Sequence, residues 1–240
     1  MRHAVILAAG MGTRLRAAHV DKPKGFVELN GRPIIEDSIA RLERAGIVDI
    51  LIVTGYEAAY YEQLAMRYDG LIRTVHNPDF ENSGSMYSLW CARDLVDEDF
   101  LLLESDLVYE QRALDVLINH EMADVVLLSG PTHAGDEVYV QTAGGMLVAM
   151  DKERSRLGAG VAGELVGISR ISRGLFAVMQ HLAEQAFADS RHYSYETDCL
   201  VAAAKSWDIA CPVVADLAWG EIDDPAHLKR VREKVLPYLN

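Results

Sequence analysis

Short apolar runs alternate with amphipathic stretches through the first 130 residues of this 240-residue chain. The runs AVILAA, DILIVTGY, DFLLLESD and DVVLLSG are nearly continuous in Val, Ile and Leu, as is typical of strands covered by helices on both faces. Stretches such as IIEDSIARLERAG and QRALDVLINHE lie between these runs and are predicted helices. The alternation predicts an α/β fold built on a doubly wound, mostly parallel sheet.

The pattern changes after residue 130. EVYVQTAGGMLVAMD predicts two strands joined around Gly144–Gly145 as an antiparallel hairpin, and GELVGISRI predicts another strand. The segment PAHLKRVREKVLPYL predicts a C-terminal helix. The chain contains no linker, repeat or low-complexity tract. We therefore expect one domain over residues 1–240, with a core at 1–130 and a small antiparallel extension within 131–240.

Composition excludes several classes of partner. The formal net charge is −13, from 36 acidic and 23 basic residues, which argues against a nucleic-acid groove. No apolar stretch approaches the roughly 20 residues of a membrane helix, and the N-terminal apolar run is too short for a signal peptide. Cys91, Cys199 and Cys211 lack metal-ligand spacing and indicate buried thiols in a reducing compartment. We expect a cytoplasmic protein with no nucleic-acid or membrane partner; its oligomeric state is left open.

The segment LAAGMGTRL at residues 7–15 follows the first predicted strand. Gly10 and Gly12 would let backbone N–H groups approach an anion, and the next helix would add its N-terminal dipole. Arg14 offers a guanidinium fork for phosphate oxygens. A dinucleotide fingerprint would need a third glycine where Leu15 stands, and a Walker A loop would need Gly-Lys-Ser/Thr. A phosphate cradle and a plain tight turn are the two remaining interpretations.

The complete LAAGMGTRL string resembles the signature of the sugar-phosphate and choline-phosphate nucleotidyltransferase superfamily. The resemblance continues through Lys22-Pro23-Lys24, Gly31-Arg32-Pro33-Ile34-Ile35 and Val53-Thr54-Gly55-Tyr56. It departs at Ala17, Ala18 and His19, where many members have Pro, Leu and Thr, but the spacing to Lys24 is kept. The resemblance implies a Rossmann-like, GT-A-like fold, with Arg14 and Lys24 as catalytic residues on the triphosphate. It implies that the following residues contact the nucleotide: Leu7, Ala8, Ala9, Gly10, Gly12, Thr13, Arg14, Gly55 and Tyr56.

Two acidic segments match the metal positions of that superfamily. Glu104-Ser105-Asp106 ends an apolar strand, where open α/β sheets bind ligands. The resemblance implies that Asp106 binds Mg²⁺; Glu104 departs from the usual Asp, and its role is left open. Glu221-Ile222-Asp223-Asp224 resembles the terminal Glu-Ile-Asp motif, which implies Asp223 as the second ligand. Alternatively, Asp223 or Asp224 caps the helix that begins at Pro225, and both roles can coexist.

The segment from Asn82 to Leu89 decides the branch of the superfamily. Its Asn-rich start followed by Tyr-Ser-Leu is similar to the cytidylyltransferases for phosphocholine and 2-aminoethylphosphonate. That similarity implies that Asn82, Ser83, Ser85 and Ser88 contact the nucleotide; the alternative is a merely capped loop. At the acceptor end, the resemblance implies the following binding residues, with ordinary structural roles as the alternative for each: Glu164, Tyr195, Glu196 and Glu221. Carboxylates would suit an ammonium group, and aromatic faces such as Trp219 a quaternary one.

The implied reaction transfers CMP from CTP to a small aminoalkyl phosphate or phosphonate, either phosphocholine or 2-aminoethylphosphonate, and releases pyrophosphate. The acceptor oxygen is already anionic near neutral pH, so that positioning and charge neutralisation would suffice without a general base. Mg²⁺ is the expected cofactor. The alternatives are a sugar-1-phosphate nucleotidyltransferase and, from another class, a non-catalytic nucleotide-binding regulatory subunit.

Overall fold

A computed structural model of the chain describes residues 1–16 and 22–239. The departures noted at Ala17, Ala18 and His19 lie outside these residues. The strands are β1 (His3–Ala8), β2 (Glu28–Leu29), β3 (Arg32–Pro33), β4 (Asp49–Thr54), β5 (Ile72–His76), β6 (Phe100–Glu104), β7 (Leu107–Tyr109), β8 (Val125–Ser129), β9 (Tyr139–Ala143), β10 (Met146–Asp151), β11 (Val161–Ile171), β12 (Val213–Val214) and β13 (Trp219–Glu221). The α-helices are α1 (Thr13–Arg16), α2 (Ile34–Arg44), α3 (Ala58–Met66), α4 (Ser85–Cys91), α5 (Arg112–Asn119), α6 (Arg173–Phe187), α7 (Val201–Ala203) and α8 (Pro225–Lys234), and a π-helical turn spans Tyr195–Leu200.

Nine strands of the described residues form the main sheet. Its centre is the parallel block β5-β4-β1-β6, in which Val5 of β1 lies level with Leu51 and Leu102. The long strand β11 pairs antiparallel with β6, with β8 on its other edge and with β9. Strand β12 is parallel to β8, and β10 is antiparallel to β9. Within this sheet, therefore, β10 and β11 run opposite to the other strands.

The predicted α/β fold, built on a mostly parallel sheet, is confirmed. The hairpin expected around Gly144–Gly145 is β9–β10, and the φ angles of these glycines, +58° and +81°, are those of a tight hairpin turn. The segment GELVGISRI does form a strand, β11, but it lies inside the sheet between β6 and β8 rather than in a separate extension. Pairing between strands that are distant in the sequence sets the position of β11 in the sheet. The local sequence pattern could therefore not predict that position.

Side chains of β1 alternate between two hydrophobic layers because successive residues of a strand point to opposite faces. Ala4 and Ile6 pack in the layer that holds α2 and α5, and Val5 and Leu7 in the layer that holds α4 and α6. A third cluster, which includes Leu15, joins α8 to the segment after β1. The end of β1 is thus held from three sides. Within the described ranges, no helix is long and apolar enough to cross a membrane.

Candidate active site

The carboxyl ends of β1 and β6 lie side by side and open into one cleft. The Ser105 N–H donates to the Leu7 carbonyl oxygen at 3.0 Å, which fixes the end of β6 beside the start of the glycine loop. This first cleft is lined by Leu7, Ala9, Gly10, Lys24, Tyr61, Phe80, Ser83, Gly84, Ser85, Ser88, Glu104, Ser105 and Asp106. It therefore collects loop backbone, a lysine, short hydroxyl side chains and carboxylates at the place where open α/β sheets bind ligands.

Lys24 lies between the two predicted metal carboxylates. Its Nζ donates to Asp106 Oδ2 at 2.8 Å and also contacts Asp223 Oδ1. Arg14 Nη2 contacts the other Asp223 oxygen at 2.7 Å. Burial opposes the charge on Lys24, but Asp106 and Asp223 outweigh it and raise the pKa of the ammonium. Four residues predicted from separate sequence segments thus form one ion network.

The donor atoms around this network fit a divalent cation. Asp106 is only 5 % exposed, and its Oδ1 has no hydrogen-bond partner among the described residues. On the other side of Asp223, ligand atoms of Asp136, Glu221, Asp223 and His227 all lie within 4.8 Å of one another. Carboxylate oxygens are the ligands that Mg²⁺ prefers. Asp106 is not part of this group of four. Asp223 belongs both to this group and to the ion network that contains Asp106.

The polar residues of the 82–88 segment are held from behind by a buried amide. Asn77 is fully buried, and its Nδ2 donates to Ser83 Oγ at 3.1 Å and to Ser88 Oγ at 3.0 Å. Ser83, Ser85 and Ser88, which were predicted to contact the nucleotide, line the first cleft. Asn82 instead is exposed and donates to Asp79 Oδ1 at 3.3 Å, so its side chain is not among those that line the cleft.

Backbone contacts connect the start of α4 to the segment that precedes the π-helical turn. The Gly84 N–H donates to the Arg191 carbonyl oxygen at 2.8 Å, and the Met86 N–H to that of Tyr193 at 3.0 Å. A Cβ on Gly84 would lie 2.5 Å from the Tyr193 oxygen, so this position requires glycine. Ser85 Oγ accepts from the Tyr195 N–H at 3.0 Å. Hydrogen bonds thus join two segments that lie more than a hundred residues apart in the sequence.

Gly55 and Tyr56 lie behind the glycine loop. A Cβ on Gly55 would meet the Ala9 carbonyl oxygen at 2.6 Å and Phe80 Cβ at 2.7 Å. The Tyr56 N–H reaches the same Ala9 oxygen at 3.4 Å. These contacts support the loop's backbone, so the structure places both residues under the loop rather than along the first cleft.

A second cleft adjoins the first and is rich in carboxyl groups. It is lined by Glu104, Leu107, Thr132, Ala134, Asp136, Glu137, Val138, Glu164, Leu165, Val166, Gly167, Glu196, Trp219, Gly220, Glu221 and Arg230. Glu104 lines both clefts. Of the predicted acceptor residues, Glu164, Glu196 and Glu221 line this cleft, whereas Tyr195 is 1 % exposed and packs behind it.

Two of these carboxyls have strongly shifted pKa values. Burial, with the charges of Glu196 and Asp106, raises the pKa of Glu104 well above its usual value. Burial, with the charges of Asp106 and Asp223, raises the pKa of Glu221 to about 9. Glu104 is half-buried, and it lines both clefts. The raised pKa values favour the protonated forms of Glu104 and Glu221 until a cation binds beside them.

Sequence reasoning missed Asp136 and His227. Asp136 Oδ1 lies 3.3 Å from His227 Nε2, and its Oδ2 lies 3.5 Å from Arg14 Nη1. Asp136 stands in an irregular segment before β9 and His227 on α8, so no local pattern marks either one. The cap was predicted correctly: Asp224 Oδ1 accepts from the N–H groups of Ala226 and His227 at 2.7 and 2.8 Å, which leaves Asp223 to the ion network.

Comparison with known proteins identifies the family. The model of the MobA-like NTP transferase domain matches residues 4–187, and the chain belongs to this family. A CMP-5'-(3-aminopropyl)phosphonate synthase of Streptomyces rubellomurinus is 30 % identical over 98 % of the chain, which spans only 39 % of that relative. A CTP:phosphoglutamine cytidylyltransferase of Campylobacter jejuni is 26 % identical over 97 % of the chain and 100 % of its own length.

Among solved structures, the inositol-1-phosphate CTP transferase from T. maritima matches with a TM-score of 0.81 at 20 % identity, covering 100 % of this chain and 98 % of its own. Likeness at this identity establishes the fold alone. The predicted resemblance to nucleotidyltransferases, and the enzyme class that it implies, are confirmed.

Proposed function

We propose that this protein transfers CMP from CTP to a small aminoalkyl phosphate or phosphonate and releases pyrophosphate. The observation that carries the proposal is the ion network of Arg14, Lys24, Asp106 and Asp223 at the junction of two clefts. A nucleotidyltransferase must hold a triphosphate and an acceptor on opposite sides of the reacting phosphorus. Adjacent clefts that share Glu104 suit that requirement.

The first cleft is assigned to CTP. The loop at Gly10 and Gly12 offers backbone to phosphate oxygens, and Arg14 and Lys24 offer positive charge. Ser83, Ser85 and Ser88 offer short polar groups for the edge of a cytosine. Two similar proteins, from Streptomyces rubellomurinus and Campylobacter jejuni, are named for CMP or CTP chemistry, which supports cytosine over other bases.

The network around Asp223 is assigned to Mg²⁺. Asp106 and Asp223 would hold the cation, with Glu221, Asp136 and His227 near enough to support it. When bound, the ion supplies neutralisation of phosphate charge. Lys24 and Arg14 contribute the same kind of stabilisation from the protein, because fixed cations need no reorganisation as charge develops. The acceptor oxygen is anionic near neutral pH, and the residues therefore need only orient it.

The second cleft is assigned to the acceptor. Its carboxyl groups favour a cationic substituent, which an aminoalkyl acceptor has and a hexose 1-phosphate lacks. The similar Streptomyces protein is named for an aminopropyl phosphonate, a compound that has both the amine and the phosphorus group required. We further propose that residues 1–130 act mainly on the nucleotide and residues 131–240 mainly on the acceptor, within one unit.

A matrix of substrates tests the proposal. CTP, UTP, dTTP and GTP are each combined with phosphocholine, 2-aminoethylphosphonate and hexose 1-phosphates in Mg²⁺, and pyrophosphate release is followed. Turnover that requires CTP together with an aminoalkyl acceptor is expected. Turnover with UTP or dTTP and a hexose 1-phosphate would identify a sugar-phosphate enzyme instead. Nucleotide binding without any turnover would support the non-catalytic alternative.

A further inference from the structure

Three carboxyl groups of the second cleft have no cation of their own. Among the described residues, no Arg, Lys or His forms an ion pair with Glu104, Glu196 or Glu221. Glu104 and Glu196 line the same cleft, and the charge of Glu196 acts on the Glu104 carboxyl. Carboxylates placed so close in a recess stabilise one another only when a cation or a shared proton lies between them. The pair therefore suits a positively charged group brought by a ligand.

The other carboxyls of the cleft accept backbone N–H groups or pair with cations. Glu164 Oε2 accepts from the Thr132 N–H at 2.8 Å. Glu137 Oε1 accepts from the Gly135 N–H at 3.0 Å. Asp136 contacts Arg14 and His227. Glu196 Oε2 accepts from the Ser194 hydroxyl at 2.7 Å, so the carboxyl groups without an ionic partner lie at the Glu104 side of the cleft.

Two buried polar groups beside this pair also lack partners. The Tyr195 hydroxyl belongs to a side chain that is 1 % exposed, lies beside Glu196 and Glu104, and meets no group in hydrogen-bond geometry among the described residues. Trp219 is 8 % exposed and lines the cleft, and its Nε1 is likewise unpartnered in the described part of the chain. Buried polar groups are rarely left without a partner, so both groups point to a missing polar ligand. The Tyr195 hydroxyl can accept from an ammonium group, whereas the Trp219 indole N–H can only donate and suits an oxygen of the same ligand.

The lining of the cleft distinguishes two kinds of ammonium. A quaternary ammonium has no N–H and is held best by several aromatic faces. A primary ammonium has three N–H donors and is held best by carboxylate and hydroxyl oxygens. Trp219 is the single aromatic side chain among the lining residues described, whereas Glu104, Glu196 and Glu221 offer oxygens. The lining favours the primary ammonium.

We propose that Glu104 and Glu196 bind the primary ammonium group of the acceptor, and that Glu104 selects it over a quaternary ammonium. This inference rests on the proposed function and deepens it. Glu104 stands two residues before Asp106, so their Cα atoms lie at most about 7 Å apart. One small acceptor that carries an amine and a phosphorus group would therefore contact both the Glu104 side of the cleft and the ion network around Asp106.

The test compares three acceptors with CTP and Mg²⁺: 2-aminoethylphosphonate, phosphocholine and ethylphosphonate, which lacks the amine. For the wild-type protein we expect kcat/KM to be at least about tenfold higher with 2-aminoethylphosphonate than with phosphocholine, as one charged hydrogen bond would give. For Glu104→Gln we expect a loss of about ten- to a hundredfold with 2-aminoethylphosphonate, mainly through KM, and a loss at least about tenfold smaller with ethylphosphonate. Glu104→Asp should recover part of the loss.

Two further variants keep the test decisive. Glu196→Gln should reproduce the selective loss if Glu104→Gln does not fold. Glu184→Gln is the matched control, because it removes the same charge from the exposed face of α6. Equal or better use of phosphocholine by the wild-type protein would overturn the inference while the proposed function stands. Equal losses of Glu104→Gln with ethylphosphonate and 2-aminoethylphosphonate would also overturn it, by assigning Glu104 to the nucleotide or metal. Turnover with none of the three acceptors would refute the proposed function and this inference together.

Discussion

Replacing Lys24 by methionine removes the ammonium that lies between Asp106 and Asp223 and keeps most of the side chain's volume. The two carboxylates are 5 % and 6 % exposed, so water does not replace the lost partner. Breaking a buried ion pair by removing one partner typically destabilises a protein by about 3–5 kcal/mol. Asp223 keeps Arg14 at 2.7 Å, so Asp106 bears most of the loss and we expect about 3 kcal/mol. For a chain of this size that corresponds to a fall in Tm of roughly 6–12 °C.

Thermal unfolding with and without Mg²⁺ measures this effect. Lys22→Met is the matched control, because Lys22 forms an exposed pair with Glu28 at 3.0 Å and such pairs contribute at most about 1 kcal/mol. A ligand at about a hundred times its Kd adds about 2.7 kcal/mol to the stability of a protein that binds it. Mg²⁺ should raise the Tm of Lys24→Met more than that of the wild-type protein, because in the wild type the Lys24 ammonium already lies between the two carboxylates. Turnover should fall by about 10²–10³-fold. A Tm of Lys24→Met equal to that of Lys22→Met, unaffected by Mg²⁺, would refute the assignment of Lys24 as the cation that compensates both carboxylates.

Three other substitutions test separate parts of the site. Asp106→Asn should lose most turnover at saturating Mg²⁺ while CTP binding, followed by calorimetry, partly survives; near-normal rates would remove Asp106 from the metal site. Gly55→Ala should raise the KM for CTP and lower stability by about 1–3 kcal/mol, because the new methyl group would lie 2.6 Å from the Ala9 oxygen; an unchanged KM in steady-state assays would show that the loop tolerates the displacement. Asp224→Ala should cost about 1 kcal/mol in denaturant unfolding through the lost cap and leave kcat unchanged; a large fall in kcat would mean that Asp224, rather than Asp223 alone, serves the ion network.

Local sequence patterns located the residues that follow directly on buried strands. Gly10 and Asp106 were predicted because an apolar run fixes where a strand ends, and the carboxyl ends of parallel strands meet at one edge. Asp223 was predicted from the resemblance of Glu221-Ile222-Asp223 to the superfamily's terminal motif, with a helix cap at Asp223 or Asp224 as the alternative. In each case the pattern that marks the residue lies within a few neighbouring residues, so it can be recognised from the sequence alone.

The residues that the sequence did not mark reach the site through tertiary structure. Asp136 and His227 come together only because α8 packs across the segment after β1 through the cluster that includes Leu15. Asn77 acts through Ser83 and Ser88, and its own surroundings along the chain are those of any turn. The predictions of Asn82 and Tyr195 as direct contacts rested on motif position alone, whereas the structure turns Asn82 outward and packs Tyr195 behind the second cleft. Their roles, like the cytoplasmic location, stay predictions.

The backbone connection between the start of α4 and the segment at Arg191–Tyr195 limits how such an enzyme can be re-engineered. Gly84 leaves no room for a side chain against Tyr193, and Ser85 holds the Tyr195 amide. A graft that replaces the Arg191–Tyr195 segment alone would therefore disturb the start of α4, where Ser83 and Ser85 line the first cleft. We expect a chimaera to keep its stability only when both segments are exchanged together.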